Sequence, residues 1–263
     1  IGPVNDLEKY VQPNWWSNIF NSLYLKTDAD IVQDPDITRD EIKLCLDLLQ
    51  LKKEDHILDL CCGQGRHTIE LAAKGFNVQG LDRSRYLIQK ARTTAKKQGL
   101  NIKFREGDAR KLFYQTDYFD AVIIMGNSFG YFESVQDDID VLKEIARVLK
   151  PWGRLLIELA NGDYLKKHFQ PRSWEWINNK MFVCRERSLS IDKQRLISRE
   201  VITDVDKGVI ADQFYAERLY NQDKLAKLLL EAGFTNINYH GELSMPSKKN
   251  QDLGMMEKCI ILT

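Results

Sequence analysis

The most informative stretch of this chain is His56-Ile-Leu-Asp-Leu-Cys-Cys-Gly-Gln-Gly-Arg-His67. An apolar strand pattern runs here into a tight turn that contains Gly63 and Gly65, and a helix pattern follows at once. Glycine lets the backbone approach a ligand closely, and the free N–H groups of the first helical turn point into the same crevice. The stretch predicts a nucleotide-binding turn and leaves open which nucleotide it binds.

Composition limits the classes of partner. The chain has 263 residues and 43% hydrophobic content, which is enough for one α/β domain with a modest insertion. The 38 basic and 38 acidic residues cancel, so no excess charge favours nucleic acid or an anionic membrane. We therefore expect a small-molecule substrate.

The cysteines indicate a reducing environment. Five are present, two of them adjacent, which suits neither a disulfide framework nor metal-ligand spacing. We expect a cytoplasmic protein without a metal, a signal peptide or a membrane span. Because the chain begins with Ile1 rather than methionine, it could be one piece of a longer polypeptide.

From residue 56 onward, short apolar runs alternate with amphipathic helical ones. Such alternation is typical of parallel strands joined by crossover helices. The sequence predicts a Rossmann-like α/β fold, with a seven-stranded, mostly parallel sheet and helices on both faces. The predicted helices are 36–50, 64–74, 85–98, 135–149 and 222–232, and the predicted strands are 56–61, 77–82, 101–106, 119–125, 153–160, 234–241 and 256–262.

Two segments depart from this rhythm. Residues 1–35 are rich in aromatic side chains, and we expect them to form an N-terminal clasp, or lid, with a helix near 13–22. Residues 162–220 contain strand patterns near 180–188, 194–204 and 209–219, which predict an antiparallel insertion after the fifth strand. The insertion would cover the acceptor site of a main domain made of residues 36–161 and 221–263, because ligands bind at the carboxyl edge of such sheets.

Three acidic residues follow predicted strands, namely Asp59, Asp82 and Asp108. Since parallel strands end at one edge, these carboxylates should converge on one crevice. Asp82 stands 19 residues after Gly63, where an acid reaches the ribose hydroxyls of a bound nucleoside.

The departures from a dinucleotide motif identify the ligand. Thr68 stands where a nicotinamide-binding loop would need its third glycine, and Asp59 would repel a pyrophosphate. A ligand with an ammonium, a ribose and an adenine but no phosphate fits better, and S-adenosylmethionine is such a ligand.

At this point the chain resembles the class I S-adenosylmethionine-dependent methyltransferases. The resemblance rests on four motifs in order: Leu58-Asp-Leu-Cys-Cys-Gly-Gln-Gly65, Leu81-Asp-Arg83, Gly107-Asp-Ala109 and Phe119-Asp-Ala-Val-Ile-Ile-Met-Gly126. The later Val141-Leu-Lys-Glu-Ile-Ala-Arg-Val-Leu-Lys-Pro-Trp-Gly-Arg154 also resembles the helix and turn before that family's fifth strand.

The resemblance implies roles for individual residues. Asp82 would accept from both ribose hydroxyls, Asp108 from the adenine amino group, and Asp59 would support the loop or the ammonium. Arg39 would bind the methionine carboxylate, and Met125 would close over the purine or the sulfonium. The candidate cofactor-binding residues are Tyr24, Arg39, Asp59, Gly63, Gly65, Asp82, Arg83, Asp108, Ala109 and Met125.

Structural roles are the alternatives for several of these residues. Asp59 could only cap the following helix, Arg39 could pair with a nearby acid, and Met125 could be core. Cys61 and Cys62 are interpreted as small fillers of a crowded turn, because no activating partner for a thiolate is apparent.

The acceptor site should follow the fourth strand, at residues 127–132. The candidate acceptor-binding residues are Asn127, Phe129, Tyr131, Trp174 and Tyr215. The proline-containing motif of amino-group methylation on nucleic-acid bases is missing after Asn127, which argues against nucleic acid. Candidate bases or orienting groups are His67, Tyr131, His168 and His240. The alternatives are that His67 only forms a hydrogen bond at the start of its helix and that His168 and His240 are surface residues.

The sequence thus predicts in-line transfer of a methyl group to nitrogen or oxygen of a small molecule. A protein or RNA methyltransferase, a nicotinamide-dependent oxidoreductase and a binding module without catalysis remain the alternatives. Exposed strands within 180–219 could also pair between subunits into a homodimer.

Overall fold

A computed structural model describes residues 2–244 and 258–263. Two sheets organise these residues: a seven-stranded sheet of order β10-β11-β5-β4-β1-β2-β3 and a four-stranded sheet of order β6-β7-β8-β9. The strands are β1 His56–Leu60, β2 Asn77–Asp82, β3 Lys103–Glu106, β4 Phe119–Ile124, β5 Leu149–Ala160, β6 Arg172–Asn178, β7 Met181–Leu189, β8 Arg195–Asp204, β9 Gly208–Arg218, β10 Tyr239–Ser244 and β11 Lys258–Leu262.

Helices cover both faces of the larger sheet. They are α1 Trp16–Ile19, α2 Tyr24–Thr27, α3 Ala29–Val32, α4 Pro35–Leu49, α5 Arg66–Ala73, α6 Arg85–Lys97, α7 Val135–Val148, α8 Gly162–His168 and α9 Gln222–Glu231. Apolar side chains of α7 and α9 pack on one face, and those of α4 and α5 pack on the other. Among the described residues, no helix combines the length and apolar character of a membrane span.

The predicted fold class is confirmed. Strands β3, β2, β1, β4 and β5 run parallel, while β11 pairs antiparallel with both β5 and β10. The carboxyl ends of β1, β2 and β4 therefore meet at one edge, as the alternation of strands and helices requires.

The two ends of helix α4 are set by residues in its own sequence. The Asp34 side chain accepts hydrogen bonds from the N–H groups of Asp36 and Ile37, and Pro35 occupies the first turn. Gln50 ends the helix in a left-handed conformation. The predicted helix 36–50 matches this element to within a residue at each end.

Three predictions about elements need correction. The helix expected near 13–22 is reduced to the single turn α1. The spacing of the aromatic residues here reflects their contacts with other parts of the fold, and it does not repeat with the period of a helix. Helix α8 and strand β6 were not expected. β6 is an edge strand whose Trp174 and Trp176 point outward, so the usual contrast between buried apolar and exposed polar positions is missing.

The ends of the last two strands also differ from expectation. The strand predicted at 234–241 begins only at Tyr239. The strand predicted at 256–262 begins at Lys258 within the described residues, and positions 256 and 257 lie outside them.

The segment before α4 contacts both faces of the smaller sheet. Leu7 packs with Ile197 and Ala216 on one face. Leu23 packs on the opposite face with Met181, Val183 and Ile202. Because the segment wraps around the smaller sheet in this way, residues 15–24 lie between that sheet and the carboxyl edge of the larger one.

Candidate functional site

A pocket in two connected lobes lies along the carboxyl edge of β1, β2 and β4. Together with space that is open to solvent, the wide lobe holds about 800 Å³ and the narrow lobe about 610 Å³. Both lobes are lined by Tyr24, Cys61, Gly63 and Ser128. The wide lobe adds Asp82, Arg83, Asp108, Ala109, Phe129 and Tyr131, and the narrow lobe adds Asp28, Arg66, His67, Met125 and Gly126.

The glycine turn after β1 forms the floor between the lobes. Gly63 and Gly65 have φ of 55° and 79°, a region in which side chains are strained. A Cβ added to Gly65 would lie 2.7 Å from the Phe104 ring. Gly65 therefore allows close packing of α5 against β3, while Gly63 faces both lobes.

Asp82 holds this turn and faces the wide lobe. Its two oxygens accept hydrogen bonds from the N–H groups of Gly63, at 2.8 Å, and Ser84, at 2.7 Å. Burial nevertheless raises the pKa of Asp82 to about 6, against the lowering effect of these two bonds. The carboxylate is fixed in place and would be further stabilised by hydroxyl donors.

Asp59 supports the turn from behind. It is 1% exposed, lines neither lobe, and accepts a hydrogen bond from the Thr68 hydroxyl at 2.5 Å. Burial raises its pKa, while His67 and Thr68 lower it. Direct contact with a bound ammonium, one of its two expected roles, does not fit this position. A loop-supporting role does.

Asp108 forms an ion-pair cluster at the rim of the wide lobe. It accepts hydrogen bonds from Arg83 at 3.0 Å and from Arg110 at 2.8 Å. Partial burial would raise the pKa of Asp108, but bonds from Arg110 outweigh it and lower the pKa. The Trp16 ring lies 5.1 Å from the Arg83 guanidinium, so α1 packs over this end of the pocket.

The expected role of Arg39 needs correction. Its side chain is 52% exposed, pairs with Asp36 within α4 and lines neither lobe. The arginine in the narrow lobe is Arg66, whose guanidinium pairs through both nitrogens with Glu41. Helix geometry explains the difference, because residues three apart on one turn pair locally.

His67 is also tied to Glu41. Its Nε2 lies 2.8 Å from the Glu41 carboxylate, and both side chains are buried. Burial would raise the pKa of Glu41, but hydrogen bonding to His67 and the charge of Arg66 lower it to about 2. This anion holds both basic residues in place, so the structure favours a positioning role for His67.

The other candidate histidines lie away from the pocket. His168 Nδ1 is 2.9 Å from the Tyr164 carbonyl, and His240 Nε2 is 2.6 Å from the Thr263 hydroxyl. Both are exposed and line neither lobe, so their expected catalytic role is not supported. Burial raises the thiol pKa of Cys61 and Cys62, as expected of packed side chains rather than nucleophiles.

The candidate acceptor-binding residues divide into three groups. Phe129 and Tyr131 line the wide lobe. Asn127 and Tyr215 lie behind it: the Asn127 side chain donates to Glu217 at 3.2 Å and accepts from the Ala160 N–H at 3.0 Å. Trp174 is 65% exposed on the edge strand β6, which removes it from the pocket.

Several residues in or next to the pocket were not predicted from the sequence. Arg66 directly follows the glycine turn, and that adjacency was a usable signal. Glu41 and Glu217 lie 25 and 151 residues from Arg66, and no local pattern links them to the site. Among the described residues, no group of three or more His, Cys, Asp or Glu side chains could hold a metal ion.

Comparisons with known proteins place methyltransferases among the relatives of this chain. The family described as "Methyltransferase domain" matches residues 57–153. The demethylmenaquinone methyltransferase of Lactococcus lactis is 40% identical over 192 residues, which cover 70% of this chain and 68% of that protein. An S-adenosylmethionine-dependent methyltransferase structure from Clostridium acetobutylicum superposes with a TM-score of 0.71 at 20% identity, covering 92% of this chain and 96% of that one.

Some relatives match over a shorter range. The putative methyltransferase YqeM of Bacillus subtilis is 38% identical over 112 residues, and the match spans 43% of this chain and 45% of that protein. This match therefore covers less than half of either chain.

Proposed function

Because this chain belongs to the class I S-adenosylmethionine-dependent methyltransferases, we propose that it methylates nitrogen or oxygen of a small molecule. The chain is an enzyme, and S-adenosylmethionine is its methyl donor. The proposal for the acceptor rests on one observation: three aromatic residues of the N-terminal segment, Trp16, Phe20 and Tyr24, line the wide lobe and cover it. A covered pocket favours a compact acceptor.

The pocket residues fit the methyl donor better than a dinucleotide. Asp82 and Asp28 line the lobes as anions, and Arg66 is neutralised by Glu41. A pyrophosphate would meet repulsion with no unpaired cation at hand among the described lining residues, whereas a sulfonium and an ammonium would be attracted.

Individual roles follow from the positions. Asp82 would accept from the ribose hydroxyls, and the Asp108 cluster with Ala109 would border the adenine. Gly63 would lie against the amino-acid end, and Arg66 would share its charge with the carboxylate in place of Arg39. When bound, the donor supplies an electrophilic methyl group on sulfur.

On the acceptor side, Phe129 and Tyr131 line the wall next to the donor site. Rings that exclude water and hold the acceptor in line with the methyl group would account for most of the rate. In this proposal residues 1–35 act as the lid, and residues 162–220 cover the acceptor site. The Lactococcus lactis relative, named for demethylmenaquinone, supports a small acceptor.

Two measurements test the proposal. Calorimetric titration should show binding of S-adenosylhomocysteine and none of NAD⁺. In the second measurement the enzyme is incubated with S-adenosylmethionine that carries a labelled methyl group. The label should be transferred to molecules of a small-metabolite extract, and protein and RNA from the same cells are tested as parallel samples. Label only in protein or RNA would refute the acceptor class, and NAD⁺ binding without S-adenosylhomocysteine binding would refute the donor site.

A further inference from the structure

One face of the smaller sheet is polar although it is buried. The register of β7, β8 and β9 places Arg187 opposite Ser198, and Ser198 opposite Tyr215. Directly opposed residues of antiparallel strands share a face. This inner face carries Arg185, Arg187, Ser198, Glu200, Tyr215 and Glu217.

Most charges on the inner face are paired. Arg185 donates to Glu175 at 2.6 Å and to Glu200 at 2.8 Å. Glu217 is different: it is 8% exposed, and one oxygen accepts from Asn127 at 3.2 Å. Its other oxygen, Oε2, is buried without a hydrogen-bond partner among the described residues, as is the Ser198 hydroxyl. Unsatisfied buried polar atoms are few in native proteins, and a bound water, ion or ligand is one explanation for them.

The inner face is connected to the methyl-transfer pocket. Asn127, which donates to Glu217, directly follows Gly126 of the narrow lobe. Tyr131 of the wide lobe packs against Trp15 with ring centroids 5.2 Å apart, and Trp15 packs against Tyr215 at 5.7 Å. A row of rings thus leads from the pocket to the inner face.

We propose that the acceptor is an amine, bound as its ammonium by Glu217 and by the rings of Trp15, Tyr131 and Tyr215, and that Glu217 takes its proton. The inference rests on the proposed function and specifies its acceptor. Aromatic faces attract cations, and an ammonium would supply a hydrogen bond to the unpartnered Oε2 together with a positive charge in addition to that of Arg187. A neutral alcohol supplies no such charge.

The chemical step balances. The Glu217 carboxylate takes one proton from the ammonium and becomes a carboxylic acid. The freed nitrogen lone pair then forms the bond to the methyl carbon. The carbon–sulfur bond breaks with its electron pair going to sulfur, so the products are the methylated ammonium and S-adenosylhomocysteine.

The surroundings of Glu217 suit a base that works near neutral pH. Burial raises its pKa to about 8, Asp28 and Glu200 add to this rise, and Arg187 and the bond from Asn127 oppose it. The hydroxyl groups near it belong to Tyr24, Tyr131 and Tyr215, whose own pKa values burial raises. An ammonium in this site would stabilise the ionised carboxylate.

The test uses shape-matched probes on the full chain saturated with S-adenosylhomocysteine. Cyclohexylamine and cyclohexanol form one pair, and benzylamine and benzyl alcohol form the other. We expect each amine to bind at least about tenfold more tightly than its alcohol. Binding of cyclohexylamine, an alkylamine that stays charged over this range, should strengthen between about pH 6 and about pH 9, because Glu217 ionises.

The variant E217Q should lose at least about tenfold in amine affinity and lose this pH dependence. E231Q, at the exposed end of α9, is the matched control and should bind as the native chain does. Because S-adenosylhomocysteine affinity is measured in every variant, failure of the donor site is distinguished from failure of the acceptor inference.

Equal binding of amines and alcohols, including no binding of either, would overturn the inference, and so would an unchanged E217Q. Should E217Q not fold, the native chain's amine preference and its pH dependence still decide.

Discussion

Replacing Asp82 by asparagine should separate cofactor binding from folding. The carboxylate accepts from Gly63 and Ser84 through different oxygens, and an asparagine keeps one of these acceptors. Alanine would leave both N–H groups without a partner. The asparagine variant is therefore the sharper perturbation.

The magnitude follows from two opposing terms. Placing an amide NH₂ against a backbone N–H costs about 1–3 kcal/mol. The pKa of Asp82 rises from 3.8 to about 6, so the buried charge costs roughly 3 kcal/mol above that pH, a cost that asparagine removes. The free energy of unfolding should change by less than about 2 kcal/mol.

Ligand affinity should change more than stability does. Hydrogen bonds from ribose hydroxyls to a charged acceptor contribute about 1.5–3 kcal/mol, so we expect S-adenosylhomocysteine to bind about 10- to 100-fold more weakly. Affinity of the native chain should also fall as pH drops below about 6, because protonated Asp82 accepts fewer hydrogen bonds, and the variant should lack this fall.

Isothermal titration with S-adenosylhomocysteine measures the effect, and urea unfolding measures stability. Asp120→Asn is the matched control: Asp120 lies on β4, pairs with Lys150 at 2.9 Å and lines neither lobe. If the Asp82 variant bound within about twofold of the native chain, the ribose contact would be wrong. Equal losses in both variants would indicate a general effect of lost carboxylates.

Three further perturbations have defined outcomes. Gly65→Ala places a Cβ against the Phe104 ring at a residue with positive φ, so it should lower the free energy of unfolding by about 1–3 kcal/mol in urea titration. An unchanged midpoint of urea unfolding would contradict the close packing of Gly65 against Phe104. Arg66→Lys should weaken the binding of S-adenosylhomocysteine about tenfold in calorimetry. Binding of 5′-methylthioadenosine, which lacks the carboxylate, should not change. Equal losses of affinity for both ligands would indicate that the substitution acts through the Arg66–Glu41 ion pair instead. Burial raises the pKa of Glu217 from 4.5 to about 8, so the free energy of unfolding of the native chain should fall as pH rises between these values and level off above them. Glu217→Gln should abolish that fall and stabilise the chain by roughly 2–5 kcal/mol near pH 9, as measured by thermal unfolding. If the stability of the variant and of the native chain changed with pH in parallel, the burial of the Glu217 charge would be refuted.

Local signals account for the parts of the site that the sequence predicted. Asp82 ends β2, and Gly63 and Asp108 come shortly after β1 and β3. A parallel sheet brings such positions together regardless of loop length. The prediction that Arg39 binds the carboxylate was wrong, because spacing along the chain cannot distinguish a side chain that faces the pocket from one that pairs within its own helix.

The sequence by itself determined the α/β fold, the glycine turn and the identity of the methyl donor, because the alternation of strands and helices and the chemistry of the turn depend on short, local patterns. The tertiary structure alone decided which charges meet. Glu41 joins Arg66 and His67, and Glu217 joins Asn127, across separations of 25 to 90 residues. Such contacts depend on how α4 and the smaller sheet pack against the larger one, and packing is a property of the whole chain.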